Sequence, residues 1–263
     1  MRVIFLGDVV GEPGRLAMYR ALPELRAEYG ADAIVVNGEN AAGGKGITPR
    51  IAKEFLEHGV DVITLGDHVW DQSDLALWID TEPRVLRPLN LQKNNPGGGC
   101  VIIDTPAGSL AVMSLHGRTF MRNGAENPFT RGWEEAKALR EEDDVKAILV
   151  DIHAEATSEK VALGHHLDGC VSAVLGTHTH VQTADARILP GGTAYLTDVG
   201  MCGSYNSVIG RETEPVLMGY VSSMPYKLPV AGWPVMVSGV CITIDESTGK
   251  ATDITPINRL YNK

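Results

Sequence analysis

Three short apolar runs near the N-terminus, each followed by a stretch of helical period, constrain this chain most. Val3 to Leu6, Ala33 to Val36 and Val62 to Leu65 are too short for helices and apolar but for Thr64, as strands buried on both faces tend to be. Between them, Arg15 to Tyr29 places Leu16, Tyr19, Leu22 and Leu25 at helical spacing. Thr48 to His58 opens with Thr48 as N-cap and Pro49 in the first turn, and a third helical pattern lies near Gln72 to Ile79. This β-α-β-α-β order predicts a parallel sheet.

The middle of the chain changes character. Cys100 to Ile103 and Leu110 to Leu115, separated by Asp104-Thr105-Pro106-Ala107-Gly108-Ser109, read as an antiparallel hairpin. Helix Gly132 to Glu142, strand Ala147 to Asp151, helix Ser158 to Leu163 and strand Val171 to Gly176 follow. Late strands at Ala186 to Leu189, Thr193 to Thr197 and Val235 to Ile244 suggest a second sheet closing over the first. No linker-like or low-complexity stretch intervenes, so residues 1–263 read as one α/β domain.

Charge narrows the partners. A formal charge of -10 and a pI near 5.3 argue against a broad basic surface for duplex DNA. A small anionic substrate would then need local cations, which metal ions could supply. The first apolar run stops at Gly7-Asp8, and no run of about 18 apolar residues occurs, so neither a signal peptide nor a membrane span is expected. Cys100, Cys170, Cys202 and Cys241 form no C-x-x-C pair, which points to buried thiols in a reduced, cytoplasmic setting.

Polar residues end the apolar runs. Asp8, Glu39-Asn40, Asp67-His68, His153 and the pair His178/His180 all fall just past the carboxyl ends of expected strands, the rim where open α/β sheets bind ligands. In Gly176-Thr177-His178-Thr179-His180, alternation along an extended backbone sends both histidines to one side, about 7 Å apart at roughly 3.3 Å of rise per residue. Alone, such a pair is more often solvated or hydrogen-bonded than engaged in ligation. Its company favours metal. Gly7, Gly38, Gly66 and Gly176 sit at the same exits, where a residue without Cβ permits a sharp turn or a close approach.

Gly7-Asp8-Val9-Val10-Gly11, Asn37-Gly38-Glu39-Asn40, Gly66-Asp67-His68-Val69-Trp70-Asp71, His153-Ala154-Glu155 and Gly176-Thr177-His178-Thr179-His180 resemble the calcineurin-like metallophosphoesterases. More closely, they resemble the YmdB-like branch, similar across essentially the whole chain. The resemblance implies a four-layer α/β/β/α sandwich and a binuclear site. Asp8, Asn40 and His180 would hold one metal, Asp67, His153 and His178 the other, with Glu39 bridging. It also implies a phosphodiesterase acting on cyclic nucleotides, 2′,3′-cyclic and 3′,5′-cyclic monophosphates among them.

The ligand types fit that chemistry. Mixed carboxylate, amide and imidazole groups suit Fe, Mn or Zn, and the lack of clustered thiolates disfavours structural zinc or iron-sulfur. Two such ions about 3.5 to 4 Å apart can share a hydroxide for in-line attack on phosphorus. His68 directly follows a ligand, so it faces the substrate as proton donor to the leaving oxygen or makes a hydrogen bond that orients a ligand. Asp67 stands where the branch usually has Asn. Its extra charge should reduce Lewis acidity and slow turnover near neutral pH.

Other signals are weaker. Gly43-Gly44-Lys45-Gly46-Ile47-Thr48 lacks the G-K-[ST] ending of a phosphate loop, which leaves Lys45 as a candidate phosphate contact. Asn94-Asn95-Pro96-Gly97-Gly98-Gly99 reads as a turn. Arg118, Arg122 and Arg131 lie in a loop that either covers the pocket or is simply solvated, and His116, His165 and His166 read as surface or structural. The rivals to a diesterase are a phosphomonoesterase with the same ions and a regulatory module holding a nucleotide or RNA end. Self-association is left open.

Overall fold

Alternation along the first strand already divides the interior in two. In the computed structural model, which describes residues 1–122, 124–142 and 144–263, β1 (Arg2–Leu6) sends Val3 and Phe5 to one side and Ile4 and Leu6 to the other. All four are fully buried, in two separate apolar clusters. The chain continues through β2 (Asp8–Val9), α1 (Gly11–Tyr29), β3 (Ala33–Asn37), α2 (Pro49–Glu57), β4 (Val62–Thr64), β5 (Val85–Leu86), β6 (Cys100–Thr105), β7 (Gly108–His116) and α3 (Pro128–Glu141). Then come β8 (Val145–His153), α4 (Thr157–Leu167), β9 (Ala173–Thr177), β10 (Arg187–Ile188), β11 (Ala194–Leu196), β12 (Met201–Ser204), α5 (Thr213–Ser222), β13 (Val235–Asp245) and β14 (Lys250–Tyr261).

The strands form two sheets. One runs β2-β12-β13-β1-β3-β4-β5, with β14 along the other edge of β13, and β1, β3, β4 and β5 are parallel as expected. The other runs β10-β11-β9-β8-β7-β6, with a parallel centre and antiparallel edges. Val3, Phe5, Val35, Val112, Leu149, Leu175 and Val240 meet between the sheets. Outside the first sheet, Ile4, Leu6 and Ile34 pack on Met18 and Leu22 of α1 and Phe55 of α2; outside the second, Ile148 and Val150 share a cluster with Leu139 of α3 and Leu163 of α4. The layers therefore run α/β/β/α.

Several expectations need correction. The inward face of α1 is Gly11, Gly14, Ala17, Met18, Ala21, Leu22 and Leu25, while Leu16 is exposed. Small residues decide that rotation, because a Cβ on Gly14 would lie 2.2 Å from the Cys202 carbonyl oxygen of β12. Residues 72–79 form no α-helix but lead into two 3₁₀ turns, Leu75–Leu77 and Ile79–Thr81. The Thr81 hydroxyl and N–H both take the Trp78 carbonyl, and Pro83 offers no N–H to continue a helix.

β13 joins the first sheet, so only β10 and β11 of the late strands belong to the second. The twelve-residue β14 carries no strand signal in its sequence, because Pro256 and its many polar residues argue against one, yet an edge position tolerates both. Of the cysteines, Cys202 and Cys241 are buried, but Cys100, at the start of an edge strand, and Cys170, in a loop after α4, are half-buried; all four are free thiols. Among the described residues, no helix is long and apolar enough to cross a membrane.

Candidate metal centre

Strand ends bring the polar residues together. Asp8 begins β2, Glu39 and Asn40 occupy the turn after β3, Asp67 follows β4, His153 is the last residue of β8, and His178 follows β9. Asp8, Glu39 and His153 are completely buried, which ionisable groups tolerate only with partners. The glycines at these exits work by close approach. A Cβ on Gly66 would lie 2.2 Å from Glu39 Oε2 and 2.2 Å from His153 Cδ2, and one on Gly176 would lie 1.8 Å from the Thr197 carbonyl oxygen.

Glu39, Asp67, His153 and His178 each offer one ligand atom within 4.8 Å of all the others. His153 Nε2 lies 2.9 Å from Glu39 Oε1, 3.1 Å from Asp67 Oδ1 and 3.0 Å from His178 Nδ1. Beside them, Asn40 Nδ2 is 3.2 Å from Asp8 Oδ1 and 3.2 Å from His180 Nε2, and Asp8 Oδ1 is 3.6 Å from the same nitrogen. A cation among these three requires the Asn40 amide to turn over and offer its oxygen, a change that preserves shape.

The outward nitrogens define the inward ones. His153 Nδ1–H donates to Thr177 Oγ1 at 2.8 Å, whose own proton goes to the buried Asp151 carboxylate at 2.7 Å. His178 Nε2 meets Glu155 Oε2 at 3.1 Å, and His180 Nδ1–H donates to the Ile209 carbonyl at 3.0 Å. Each ring thus turns its other nitrogen inward toward carboxylates that can only accept when ionised, so that nitrogen either carries a proton or offers its lone pair to a cation. Glu39 Oε1 is buried without a hydrogen-bond partner despite its 2.9 Å separation from His153 Nε2. Converging lone pairs with fixed outer partners are what a metal-ligand set requires, so these residues fit divalent cations.

His178 and His180 reach their places by a route the alternation rule does not describe. β9 ends at Thr177, and both histidines have positive φ, 98° and 65°. They sit in a tight turn rather than on one strand face. Two tethers impose it: His178 N–H donates to Asp8 Oδ2 at 3.1 Å, and Thr179 bonds Asp198 through its N–H and hydroxyl, at 3.0 and 2.7 Å. Asp198 is in turn held by the fully buried Lys160 at 2.8 Å.

Charge outweighs burial throughout the cluster. Burial raises Asp8, but His180 chiefly, with His153, holds its carboxyl below the usual carboxylate range. Burial likewise opposes ionisation of Asp67, yet hydrogen bonds from His153 and His178 hold it well below that range. The His153 imidazole is depressed by burial and raised well above its ordinary value by Glu39 and Asp67, and Asp8 raises His180 against burial. These carboxylates draw positive charge into the site, so protons and metal ions compete for it. Asp151, which burial pushes up to about 6, stands one step back.

Comparison with known proteins gives the arrangement its context. The family model described as YmdB-like protein matches residues 4–257. The chain belongs to the YmdB-like family. It is 44% identical over 258 residues to a Bacillus subtilis protein named 2′,3′-cyclic-nucleotide 2′-phosphodiesterase, covering 98% of this chain and 96% of that one. A Thermus thermophilus crystal structure titled a hypothetical protein superposes with a TM-score of 0.91 at 41% identity, over 99% of both chains. A Mycoplasma pneumoniae structure titled a novel phosphatase also superposes at 0.91, with 35% identity, over 100% of this chain and 94% of that one.

In this YmdB-like chain, a cavity of about 300 Å³ opens onto the cluster, lined by Glu39, Asn40, His68, Glu155, His178, Thr179, His180, Ile209 and Arg211. His68 lies at its wall, with Nδ1 2.9 Å from Asp71 Oδ2 and Nε2 3.9 Å from Asp67 Oδ2. The cation at the mouth is Arg211 rather than the exposed Lys45, and its guanidinium donates to the carbonyls of Gly43, Gly44 and Leu228. His116 is buried, not on the surface, and burial beside His153 pushes its ring down to about 4. Exposed His166 packs on Phe129 and Trp133, and His165 is also exposed.

Sequence reading missed Arg211, Ile209, Asp151, Thr177, Asp198 and Lys160. Asp151 carried a usable signal, since it shares a strand face with His153 two residues on. Arg211 and Ile209 carried none.

Proposed function

We propose that the chain is a metal-dependent phosphoric diester hydrolase acting on cyclic nucleotides, 2′,3′-cyclic monophosphates, 3′,5′-cyclic monophosphates or both. Asp8, Asn40 and His180 would hold one cation and Asp67, His153 and His178 a second, with Glu39 within reach of both sets. The observation that carries the reading is the clustering of ligand atoms of Glu39, Asp67, His153 and His178 within 4.8 Å of one another, with the rings of His153, His178 and His180 held by outward contacts. The name of the Bacillus subtilis relative supports the substrate class. Bound there, Fe or Mn, with Zn as a further candidate, would supply Lewis acidity toward phosphoryl oxygens and acidify a water.

The chain's own residues do the rest. His68 is held through Nδ1 by Asp71, so in the imidazolium form Nε2 carries the second proton, the one given to the leaving ribose oxygen. Glu155, Thr177 and the Ile209 carbonyl keep the ligand rings from turning. Arg211 places positive charge at the mouth, where an anionic phosphate enters.

His68→Ala should lower turnover on a cyclic nucleotide by about 10²-fold or more while metal content stays intact. An unchanged rate removes His68 from the role. For the whole reading, metal-loaded protein is assayed on a generic diester and a generic monoester, with the diester turned over faster. Preference for the monoester would instead make the chain a phosphatase, the word in the Mycoplasma pneumoniae structure's title. Tight nucleotide binding without turnover of either would make it a binding module.

A further inference from the structure

One more loop starts from the rim of the centre. β7 ends at His116, opposite His153 in the sheet register, and Gly117 N–H donates to the His153 carbonyl at 2.9 Å. Neighbouring strands lie about 4.8 Å apart, so the loop begins one strand from His153 and two from the exit that carries His178. Its base is anchored. Buried Glu159 of α4 accepts from Arg118 N–H at 3.0 and 3.1 Å and from Thr119 N–H at 3.1 Å. A Cβ on Gly117 would lie 2.5 Å from Ala154 Cβ, so the base has no room to shift.

Past the anchor the chain turns outward. Phe120 adopts φ 63°, which a bulky residue avoids unless its surroundings impose it, and the residue is 87% exposed. Exposed Arg118 and Arg122 flank it and help line a cavity of about 320 Å³ with Met121 and Ala125. Arg131, farther along, is instead held by Glu126 and Glu134. No Asp or Glu occurs between Gly117 and Ala125, in a chain of charge -10. An outward aromatic ring between two arginines matches single-stranded nucleic acid, with a base stacking on the ring and phosphates meeting the guanidiniums.

We propose that this loop binds the nucleotide adjoining the one that reacts, so that the preferred substrate is an RNA end carrying a terminal cyclic phosphate. The inference rests on the phosphodiesterase reading above. The terminal cyclic phosphate enters the metal centre, the neighbouring base stacks on Phe120, and its phosphates face Arg118 and Arg122. The acidic surface elsewhere limits the contact to one or two nucleotides.

The test compares kcat/KM for 2′,3′-cyclic AMP with that for a trinucleotide ending in the same cyclic adenylate. The trinucleotide should be preferred by about tenfold or more, the worth of one stacked base. Phe120→Ala, and separately Arg118→Ala with Arg122→Ala, should lose about tenfold more on the trinucleotide than on the mononucleotide, mainly through KM. Equal kcat/KM for the two substrates in the unaltered protein overturns the proposal. So do variant losses that are the same on both, which would make the loop a mere support for His153. A change in particle mass by light scattering in Phe120→Ala overturns it as well, by assigning the ring to self-association. If the unaltered protein hydrolyses neither substrate, the enzymatic reading fails by itself. Fluorescence anisotropy of a labelled trinucleotide 3′-phosphate then decides the loop: weaker binding by Phe120→Ala supports it, and unchanged binding overturns it.

Discussion

Gly66→Ala is the smallest change that should dismantle the centre. The added methyl would lie 2.2 Å from Glu39 Oε2, 2.2 Å from His153 Cδ2 and 2.4 Å from His153 Cγ, and both neighbours are fully buried. Ordinary contact begins at about 3.4 Å, so each group must retreat by roughly 1 Å. The φ of Gly66 is not in the left-handed region, so the effect is steric rather than conformational. Overpacking of this kind typically costs about 1–3 kcal/mol, a drop of several degrees in Tm for a chain of this size. Misplacement of reacting groups by about 1 Å can cost about 10²-fold in rate. We therefore expect a modest loss of stability, a large loss of bound metal and at least that loss of turnover. Elemental analysis, a diester assay and thermal unfolding measure the three. Gly232→Ala, where nothing lies within 4 Å of the new Cβ, is the control. Metal content and turnover both within threefold of the unaltered protein would refute the close-packed arrangement of Glu39, Gly66 and His153.

Asp67→Asn should raise turnover near neutral pH, because it keeps an oxygen toward His153 while removing a carboxylate that remains ionised there; a pH-rate profile and metal content that are both unchanged would sink the idea. His116 makes one separable contribution to the pH dependence of stability. Its ring titrates at about 4 in the fold against 6.5 in the open chain, so only the unfolded state gains a proton between those values. The contribution is fully present above 6.5 and lost as pH falls through 4, with roughly 2 kcal/mol gone by pH 5. In metal-free protein, His116→Gln should shrink the difference in urea-unfolding free energy between pH 7 and pH 5 by about that amount, and an unchanged difference would remove His116 as its source.

The parts of this site that were legible share one property, a local signature. Val3 to Leu6 is apolar at every position and then meets Gly7-Asp8; largely apolar runs likewise precede Gly38-Glu39, Gly66-Asp67 and, without a glycine, His153. Thr48 was readable as an N-cap for the same reason, and its hydroxyl does accept from Ile51 N–H at 3.3 Å. Where local rules failed, a distant contact overrode them. Residues 178–180 look like the end of a strand, but Asp8 and Asp198 pull them into a turn with positive φ. Leu16 looks like a core residue, but Gly14 seats α1 so closely on β12 that Leu16 points outward.

By itself, then, the order of residues determined which elements form and which polar groups stand at their ends, because periodicity and chain punctuation act over a few residues. Tertiary structure decided which nitrogen of each histidine faces the centre, through Thr177, Glu155 and the Ile209 carbonyl, and which cation guards its mouth. Arg211 reaches the Gly43 carbonyl from 168 positions away. Such contacts depend on how two sheets and their connecting turns pack, and no local pattern in the chain records them.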